Sequence, residues 1–243
     1  MLAFLIAFSA LRHCWSSSLL TRTIIYTTFG VFSTVVTAQT VLTLYRNKAM
    51  GVEFSRAVVI RDGDTCMVHL KLSRSVHVKA GQYIQLWIPS VSFWSFAQSH
   101  PFVVVSWKEE AQGVLDLLIQ PRAGWTQDLF YQGERSSLQP SQGKLEIRGK
   151  KSRFALFGGP YGRSVPIKNY YTVLMFAHGF GIAAMIPYLK QVIHGYNTCK
   201  NHTQRVQLIW EAKDRRKFCT TALRIGVTML TRVKIRCKQS HPY

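Results

Sequence analysis

Residues 172–184 read TVLMFAHGFGIAA, and this stretch carries the clearest fold signal in the chain. Its first six residues form a continuous apolar run, which is typical of a parallel strand buried on both faces. Gly179 and Gly181 follow, and a helical pattern then continues to about His194. A second apolar run at 206–210 completes a strand–helix–strand unit. The sequence therefore predicts a partial Rossmann-like, NAD(P)-binding type of domain at this end of the chain.

Upstream of this unit, the pattern is that of an antiparallel β domain. Short runs rich in β-branched and aromatic residues alternate with turn signals such as Asp62-Gly63-Asp64. The predicted strands cover residues 56–60, 67–72, 83–88, 102–107 and 114–119. Strands at this spacing favour a barrel or a sandwich. We therefore predict a β-barrel domain over residues 49–166 and a partial nucleotide-binding domain over residues 167–243.

Farther upstream lies an apolar stretch that fits a membrane. Residues 23–45 contain no charged side chain. As a helix they would reach about 34 Å, enough to cross a bilayer core of about 30 Å. Arg46 and Lys48 follow directly, as expected on the cytoplasmic side. The alternative is a core helix of a soluble domain. We predict a membrane portion over residues 1–48, with its span at about 23–45, and hence a mixed α+β and α/β fold with one membrane helix.

The charge of the chain is strongly positive. There are 31 Lys and Arg residues against 11 Asp and Glu, a net charge of +20. Such a charge attracts nucleic acid, acidic lipid head groups or phosphorylated cofactors. The basic residues are scattered rather than gathered on a recognisable nucleic-acid-binding element, so nucleic acid is not a predicted partner. Binding to membrane lipid and to a pyrophosphate cofactor explains the positive net charge more simply.

Five short segments carry a family resemblance when they are taken together. They are AGQYIQLWIP at 80–89, HPFVVVS at 100–106, RAGWTQDL at 122–129, GGPYG at 158–162 and AHGFGIAA at 177–184. In type and order they resemble the flavin and NAD(P)H motifs of the fungal ferric-chelate reductase and NADPH oxidase family. Any one motif alone is a weak signal. The resemblance implies a membrane flavoprotein with FAD in an FAD-binding barrel and NADPH or NADH in the C-terminal domain.

The chemistry of FAD suits these segments. The flavin ring needs an apolar slot lined mostly by backbone, which an extended His-Pro-Phe strand supplies. The pyrophosphate needs backbone N–H groups at a helix start and a nearby cation. As alternatives, His100 is a structural histidine, Trp125 a core residue and Thr126 a helix N-cap. The predicted cofactor-binding residues are His100, Pro101, Phe102, Val103, Arg122, Gly124, Trp125, Thr126, Gly159, Pro160, Tyr161, Gly162, Gly179, Gly181 and Ile182.

The sequence departs from the family pattern at three places. Val103 stands where the family commonly has Thr or Ser, so a hydroxyl that would bind the flavin is lost. His178 stands where a small residue is common, and its bulk narrows the approach to the phosphates. The closing Cys-Gly-Pro-Pro turn of the family is missing, since Cys237 is followed by Lys238 and Gln239. The resemblance therefore implies a chain truncated at both ends.

One histidine resembles a metal ligand. The family binds two b-type haems between its transmembrane helices through histidine pairs, and His13 resembles one of these ligands in position. Its mate on the same helix would precede Met1, so we expect haem b only in a full-length form. An interfacial histidine is the alternative.

The resemblance implies electron transfer from NAD(P)H through FAD toward haem and a ferric chelate. Two alternatives stay open: a truncated, catalytically impaired flavoprotein remnant, and a superoxide-producing enzyme. The predicted partners are membrane lipid and a ferric chelate. The family's full-length members are multi-pass proteins, which implies a plasma-membrane location with the FAD and NAD(P)H domains in the cytoplasm.

Overall fold

The computed structural model describes residues 9, 19–47, 53–92, 98–135, 151–200, 202–203, 205–212 and 233–239. The chain divides into two compact units, residues 1–46 and residues 47–243. Helix α1 (Leu19–Asn47) makes up the described part of the first unit apart from Ser9, and its final residue is already counted with the second.

Helix α1 has the length and composition of a membrane span. Its most apolar window has a mean hydropathy of 1.4, and none of that window is buried. The hydroxyls of Thr27, Thr34 and Thr40 donate hydrogen bonds to carbonyls one turn earlier in the helix, at 2.8–3.0 Å. These bonds satisfy the polar groups inside the helix itself, which an apolar surrounding requires. The alternative of a buried core helix is not what the structure shows.

Two antiparallel sheets form the barrel. The first is built around β1 (Arg56–Asp62) and β2 (Thr65–Val76), which form a hairpin with Gly63 at a positive φ of 58° in its turn. Strand β5 (Gln112–Ile119) pairs with β2, and β7 (Ser152–Phe154) pairs with β1. The short strand β6 (Glu134–Arg135) also pairs with β1, in the parallel direction. The second sheet consists of β3 (Tyr83–Trp87), β4 (His100–Val103) and β8 (Leu156–Tyr161), in the order β4-β3-β8.

The barrel closes around one apolar core. A bridge between Val104 and Leu117 joins the two sheets. Helix α2 (Trp125–Gln132) adds Trp125 and Leu129 to the core. The side-chain amide of the buried Asn47 donates to the backbone carbonyl of Phe157 (2.8 Å) and accepts from its N–H (3.0 Å), which holds β8 in place.

The C-terminal half is a three-stranded parallel sheet covered by one helix. Its elements are β9 (Thr172–His178), α3 (Ile182–Asn197), β10 (Arg205–Ala212) and β11 (Val233–Gln239), with the strand order β11-β10-β9. Val105 and Leu118 from the barrel pack into the core beneath α3, so the two halves share this second core. The strand–helix–strand prediction is confirmed by β9, α3 and β10.

Two details differ from the sequence-based prediction. Residues 172–177 were expected to be buried on both faces, but Leu174 and Phe176 are 51% and 62% exposed. That prediction is wrong, since among the described residues only α3 covers this sheet, on the face of Val173 and Met175. Strand β11 was not predicted, because residues 224–243 carry no recognised motif.

Candidate flavin-binding site

Three rings form a stacked aromatic wall at the junction of β4 and α2. The rings of His100 and Trp125 are 4.6 Å apart with an interplanar angle of 29°. Phe102 lies 5.8 Å from Trp125 at 26°. His100 and Phe102 point to the same side because alternate residues of a strand share a face. Trp125 reaches them as the first residue of α2. A flat apolar wall of this kind suits one face of a planar ring system.

Two polar atoms in this wall are buried with no hydrogen-bond partner among the described residues, namely Nε2 of His100 and Nε1 of Trp125. Oε1 of Gln85 has no such partner either, but Gln85 pairs with Pro101 across β3 and β4, so its side chain lies on the opposite face of the sheet from His100 and Phe102. Each such atom costs about 1–3 kcal/mol while it stays unsatisfied. The edge of a flavin ring, which carries N–H and C=O groups, has the chemistry that would satisfy the two atoms of the wall, so His100 and Trp125 fit the cofactor.

Burial also sets the charge of His100. Loss of solvent around the ring lowers the pKa of His100 below its ordinary value. A neutral imidazole has one donor and one acceptor nitrogen, so Nε2 can either donate to a C=O or accept from an N–H.

A cationic loop precedes α2 at the predicted pyrophosphate position. Gly124, with φ 71°, is the residue before the helix and is exposed. Arg122 is exposed. The backbone N–H of Arg122 donates to Oγ1 of Thr126 (2.9 Å). Thr126 therefore folds the loop back and is not the N-cap, so that alternative is wrong. The loop places a cation and a helix N-terminus together, which suits a diphosphate.

The segment 158–162 lies at the end of β8, on the other side of β3 from β4. Tyr83 pairs with Val103 on one side and with Tyr161 on the other, so the strands bring these positions together. The rings of Tyr83 and Tyr161 are 5.8 Å apart, and both are partly exposed. A Cβ on Gly159 would lie 3.0 Å from the Tyr161 ring, and one on Gly162 would lie 3.4 Å from the Tyr83 ring. The glycines therefore make room for the two aromatic side chains. The neighbouring Pro160 is partly buried.

The nucleotide loop lies between β9 and α3. Gly179 has a φ of 51°, which favours glycine, whereas Gly181 is helical at −58°. A Cβ at either position would meet nothing within 4 Å, so the space above the loop is open. The side chain of Ile182 is buried in the core, and its backbone N–H donates to the carbonyl of Phe180. His178 is exposed, and its Nδ1 lies 3.5 Å from a carboxylate oxygen of Glu211.

Sequence reasoning missed one residue that holds this loop. The indole N–H of Trp210, on β10, donates to the carbonyl of Gly179 at 2.9 Å. Gly179 follows β9 and Trp210 lies on β10, so no local pattern points to the contact. Trp210 thereby fixes the carbonyl of Gly179 at the start of the loop.

The predicted haem ligand His13 lies outside the described residues, so this prediction stays untested. Within the described ranges, no group of three or more His, Cys, Asp or Glu residues could hold a metal ion. Val103 is half-buried beside Phe102 and offers no side-chain hydrogen bond. The site is thus built from an aromatic wall, a cationic helix start and an open glycine loop.

Solved structures show the same fold. Phthalate dioxygenase reductase, described as a modular structure for electron transfer from pyridine nucleotides to [2Fe-2S], superposes with a TM-score of 0.51 at 12% identity, over 77% of this chain and 52% of that chain. Ferredoxin-NADP+ reductase from Plasmodium falciparum gives a TM-score of 0.53 at 12% identity, over 76% and 69%. The predicted fold class is confirmed: the chain has the ferredoxin-reductase-like fold.

The sequence of the barrel matches a family model. Residues 50–165 match the family model of the FAD-binding domain. "Ferric reductase transmembrane component 1" from Schizosaccharomyces pombe is 27% identical over 163 residues, which are 55% of this chain and 27% of that protein. Both matches support the resemblance to FAD-binding flavoproteins of the ferric-reductase type that the motifs predicted. The chain spans about a quarter of the length of the curated relative.

Proposed function

We propose that this chain is the flavin-reductase portion of a ferric-reductase-like membrane protein, which takes electrons from NADPH or NADH onto FAD. The observation that carries the proposal is the aromatic wall with two buried polar atoms, Nε2 of His100 and Nε1 of Trp125, that have no partner among the described residues. When bound, FAD would supply the redox chemistry, accepting two electrons as hydride and releasing them singly.

The chain's own residues bind and orient the cofactors. His100, Phe102 and Trp125 would hold the flavin ring and exclude water from one of its faces. Arg122 and the start of α2 would bind the FAD diphosphate. Gly179 and the start of α3 would receive the diphosphate of the nicotinamide nucleotide.

The same residues indicate slow turnover in this chain. Hydride transfer needs the nicotinamide carbon about 3–3.5 Å from the flavin, and proximity alone can supply about 7–11 kcal/mol of the barrier. In the family this positioning falls to a Cys-Gly-Pro turn, whereas Cys237 is followed here by Lys238 and Gln239. Val103 and the exposed His178 weaken the two cofactor contacts further. These observations favour the second candidate, a catalytically impaired flavoprotein.

Electrons would pass onward to a ferric chelate through haem in a full-length form, and a membrane position for α1 is consistent with that route. The relative from Schizosaccharomyces pombe supports this acceptor over oxygen by its name alone. The FAD and NAD(P)H domains would then lie in the cytoplasm, next to Arg46 and Lys48.

The test is anaerobic reduction of the FAD-loaded chain, followed by flavin absorbance. Dithionite should bleach the bound flavin at once, whereas NADPH or NADH should do so detectably but more slowly than about 1 s⁻¹. If neither nucleotide bleaches a flavin that dithionite reduces, even over hours, the chain is not a nicotinamide-dependent reductase. A rate well above that value would show that the C-terminal residues position the nicotinamide after all.

A further inference from the structure

The strongest unassigned contact joins α3 of the C-terminal half to the turn between β2 and β3. Gly81 in that turn has a φ of 83°, and the ring of Tyr188 packs directly over it. A Cβ at Gly81 would overlap the Tyr188 hydroxyl and would lie 2.9 Å from Cζ and 3.0 Å from Cε2 of the ring. Only a residue without a side chain leaves room for this ring.

A hydrogen bond fixes the far end of the same side chain. The backbone N–H of Val165 donates to the Tyr188 hydroxyl at 3.1 Å. Val165 lies on the connection between β8 and the C-terminal half. The Tyr188 ring is therefore held between the barrel's turn and the connection that leads out of the barrel.

The turn that receives Tyr188 is itself tied to the candidate flavin site. The Gln82 side chain donates to the carbonyl of Gly162 (3.1 Å) and accepts from the N–H of Lys79 (2.8 Å). The Gln82 carbonyl accepts from the N–H of Val104 at 3.1 Å, next to the predicted flavin contacts. A displacement of Gly81 would thus also displace the strand that carries Val103.

On the other side, Tyr188 belongs to the helix that begins at the nucleotide loop. It lies six residues after Ile182, about 9 Å along the axis, and directly follows Pro187. One helix therefore carries both the start that faces the open glycine loop and the ring that packs on the barrel. The distance between the two cofactor positions depends on how Tyr188 sits on Gly81.

We propose that Tyr188 is a positioning residue, which fixes the C-terminal half against the barrel and so sets the distance between the nicotinamide and the flavin. The inference rests on the proposed function but concerns the orientation of the two halves. It also assigns Gly81 a role, namely to leave space for the Tyr188 ring.

The first measurement is the distance between two spin labels. One label is attached to the exposed Cys199 of the C-terminal half, and the other is attached to the barrel at position 71 in a Lys71→Cys variant. Cys14, Cys219 and Cys237 are replaced by Ser, and Cys66 is buried, so only the two chosen sites react. Tyr188→Ala and Gly81→Ala should shift or broaden the distance distribution. Tyr196→Phe, on the exposed end of the same helix, is the control and should leave it unchanged.

The second measurement separates a contact between the two residues from general damage. Alanine is strained at the φ of Gly81, so Gly81→Ala has a cost of its own. In a Tyr188→Ala background the overlap is gone, so the added effect of Gly81→Ala on the distance and on the unfolding midpoint should be clearly smaller. Equal effects in both backgrounds, with an unchanged label distance in Tyr188→Ala, would overturn the proposal.

The third measurement links orientation to electron transfer. In Tyr188→Ala, FAD affinity and dithionite reduction should stay as in the parent chain, while NADPH-dependent flavin reduction falls on the order of 100-fold, as a displacement of about 1 Å can cause. Tyr188→Phe keeps the ring and should retain most of the rate. A parent chain that binds no FAD would contradict the proposed function, and the label distances would still decide the role of Tyr188. An unchanged NADPH rate in a Tyr188→Ala variant with shifted distances would contradict the link to electron transfer.

Discussion

At the scale of residues, the buried indole N–H of Trp125 is the most specific feature of the candidate site. This N–H has no partner among the described residues, while the Trp125 ring stacks on His100 and Phe102. The ring explains the packing in the core, and a ligand with an acceptor at this place would satisfy the N–H.

Trp125→Phe tests this distinction, since it keeps an aromatic ring and removes the donor. A hydrogen bond to the flavin worth about 1.4 kcal/mol would make FAD binding about tenfold weaker. Fluorescence titration with FAD measures the affinity, and Trp107→Phe, outside the wall, is the control. Equal affinities for Trp125→Phe and the parent chain would mean that the indole N–H does not meet the flavin.

The sequence predicted some of the contacts between residues at the site and not others. The motifs predicted that His100, Phe102 and Trp125 would come together, because the order of motifs carries that information. They did not predict that Trp210 holds Gly179 or that Tyr188 fills the space over Gly81. Both contacts join residues far apart in the chain through one side chain, and such contacts leave no periodic pattern in a sequence.

At the scale of elements, β9 shows why an apolar run is an ambiguous signal. The run 172–177 predicted a strand, and it is one, but only Val173 and Met175 are buried beneath α3. Leu174 and Phe176 face away from α3 and are exposed. Burial on the second face requires another layer, whose presence the strand's own residues cannot reveal.

This one-sided burial predicts very unequal effects of two neighbouring substitutions. Met175→Ala should lower the free energy of unfolding by about 2–5 kcal/mol, as is usual for a core methionine. Phe176→Ser should change it by no more than about 0.5 kcal/mol, as is usual for a surface site. Chemical denaturation measures both. Similar losses for the two variants would show that the second face is covered in solution.

The end of α3 is held to the barrel by charge. A carboxylate oxygen of Glu109 lies 3.0 Å from Nζ of Lys200 and 3.7 Å from Nδ1 of His194. The hydrogen bond from Lys200, followed by the charges of Lys200 and His194, lowers the pKa of Glu109 below its ordinary value. A carboxyl group with a lowered pKa in the folded state stabilises the fold above its ordinary pKa and loses that effect as the pH falls through the lowered value.

Glu109→Gln should therefore be less stable than the parent chain at neutral pH, and the two should converge as the pH falls below about 4. Thermal unfolding midpoints between pH 7 and pH 3 measure the difference. Glu110→Gln is the matched control, since the neighbouring carboxylate is exposed and forms none of the ion pairs found among the described residues. A difference that does not depend on pH would mean that the Glu109 charge is not what holds α3.

At the scale of the whole molecule, the sequence pattern predicted the two kinds of sheet more readily than the boundary between the two domains. Turn-bounded short strands predicted the antiparallel barrel, and the glycine loop after an apolar run predicted the parallel unit. The division at about residue 167 stays a prediction, because Val105 and Leu118 of the barrel are built into the core of the C-terminal half. A core shared in this way cannot be assigned from hydrophobicity alone.

The central claim is that the barrel binds FAD with its diphosphate at Arg122, and equilibrium binding of FAD to the whole detergent-solubilised chain tests it most directly. We expect one FAD per chain, a flavin absorbance band that survives gel filtration, and binding about 10- to 100-fold weaker in Arg122→Ala, as loss of a charged hydrogen bond predicts. Arg205→Ala, an equally exposed arginine at the start of β10, should bind as the parent chain does. No retained flavin in a folded parent chain, or equal affinity in Arg122→Ala, would contradict the account.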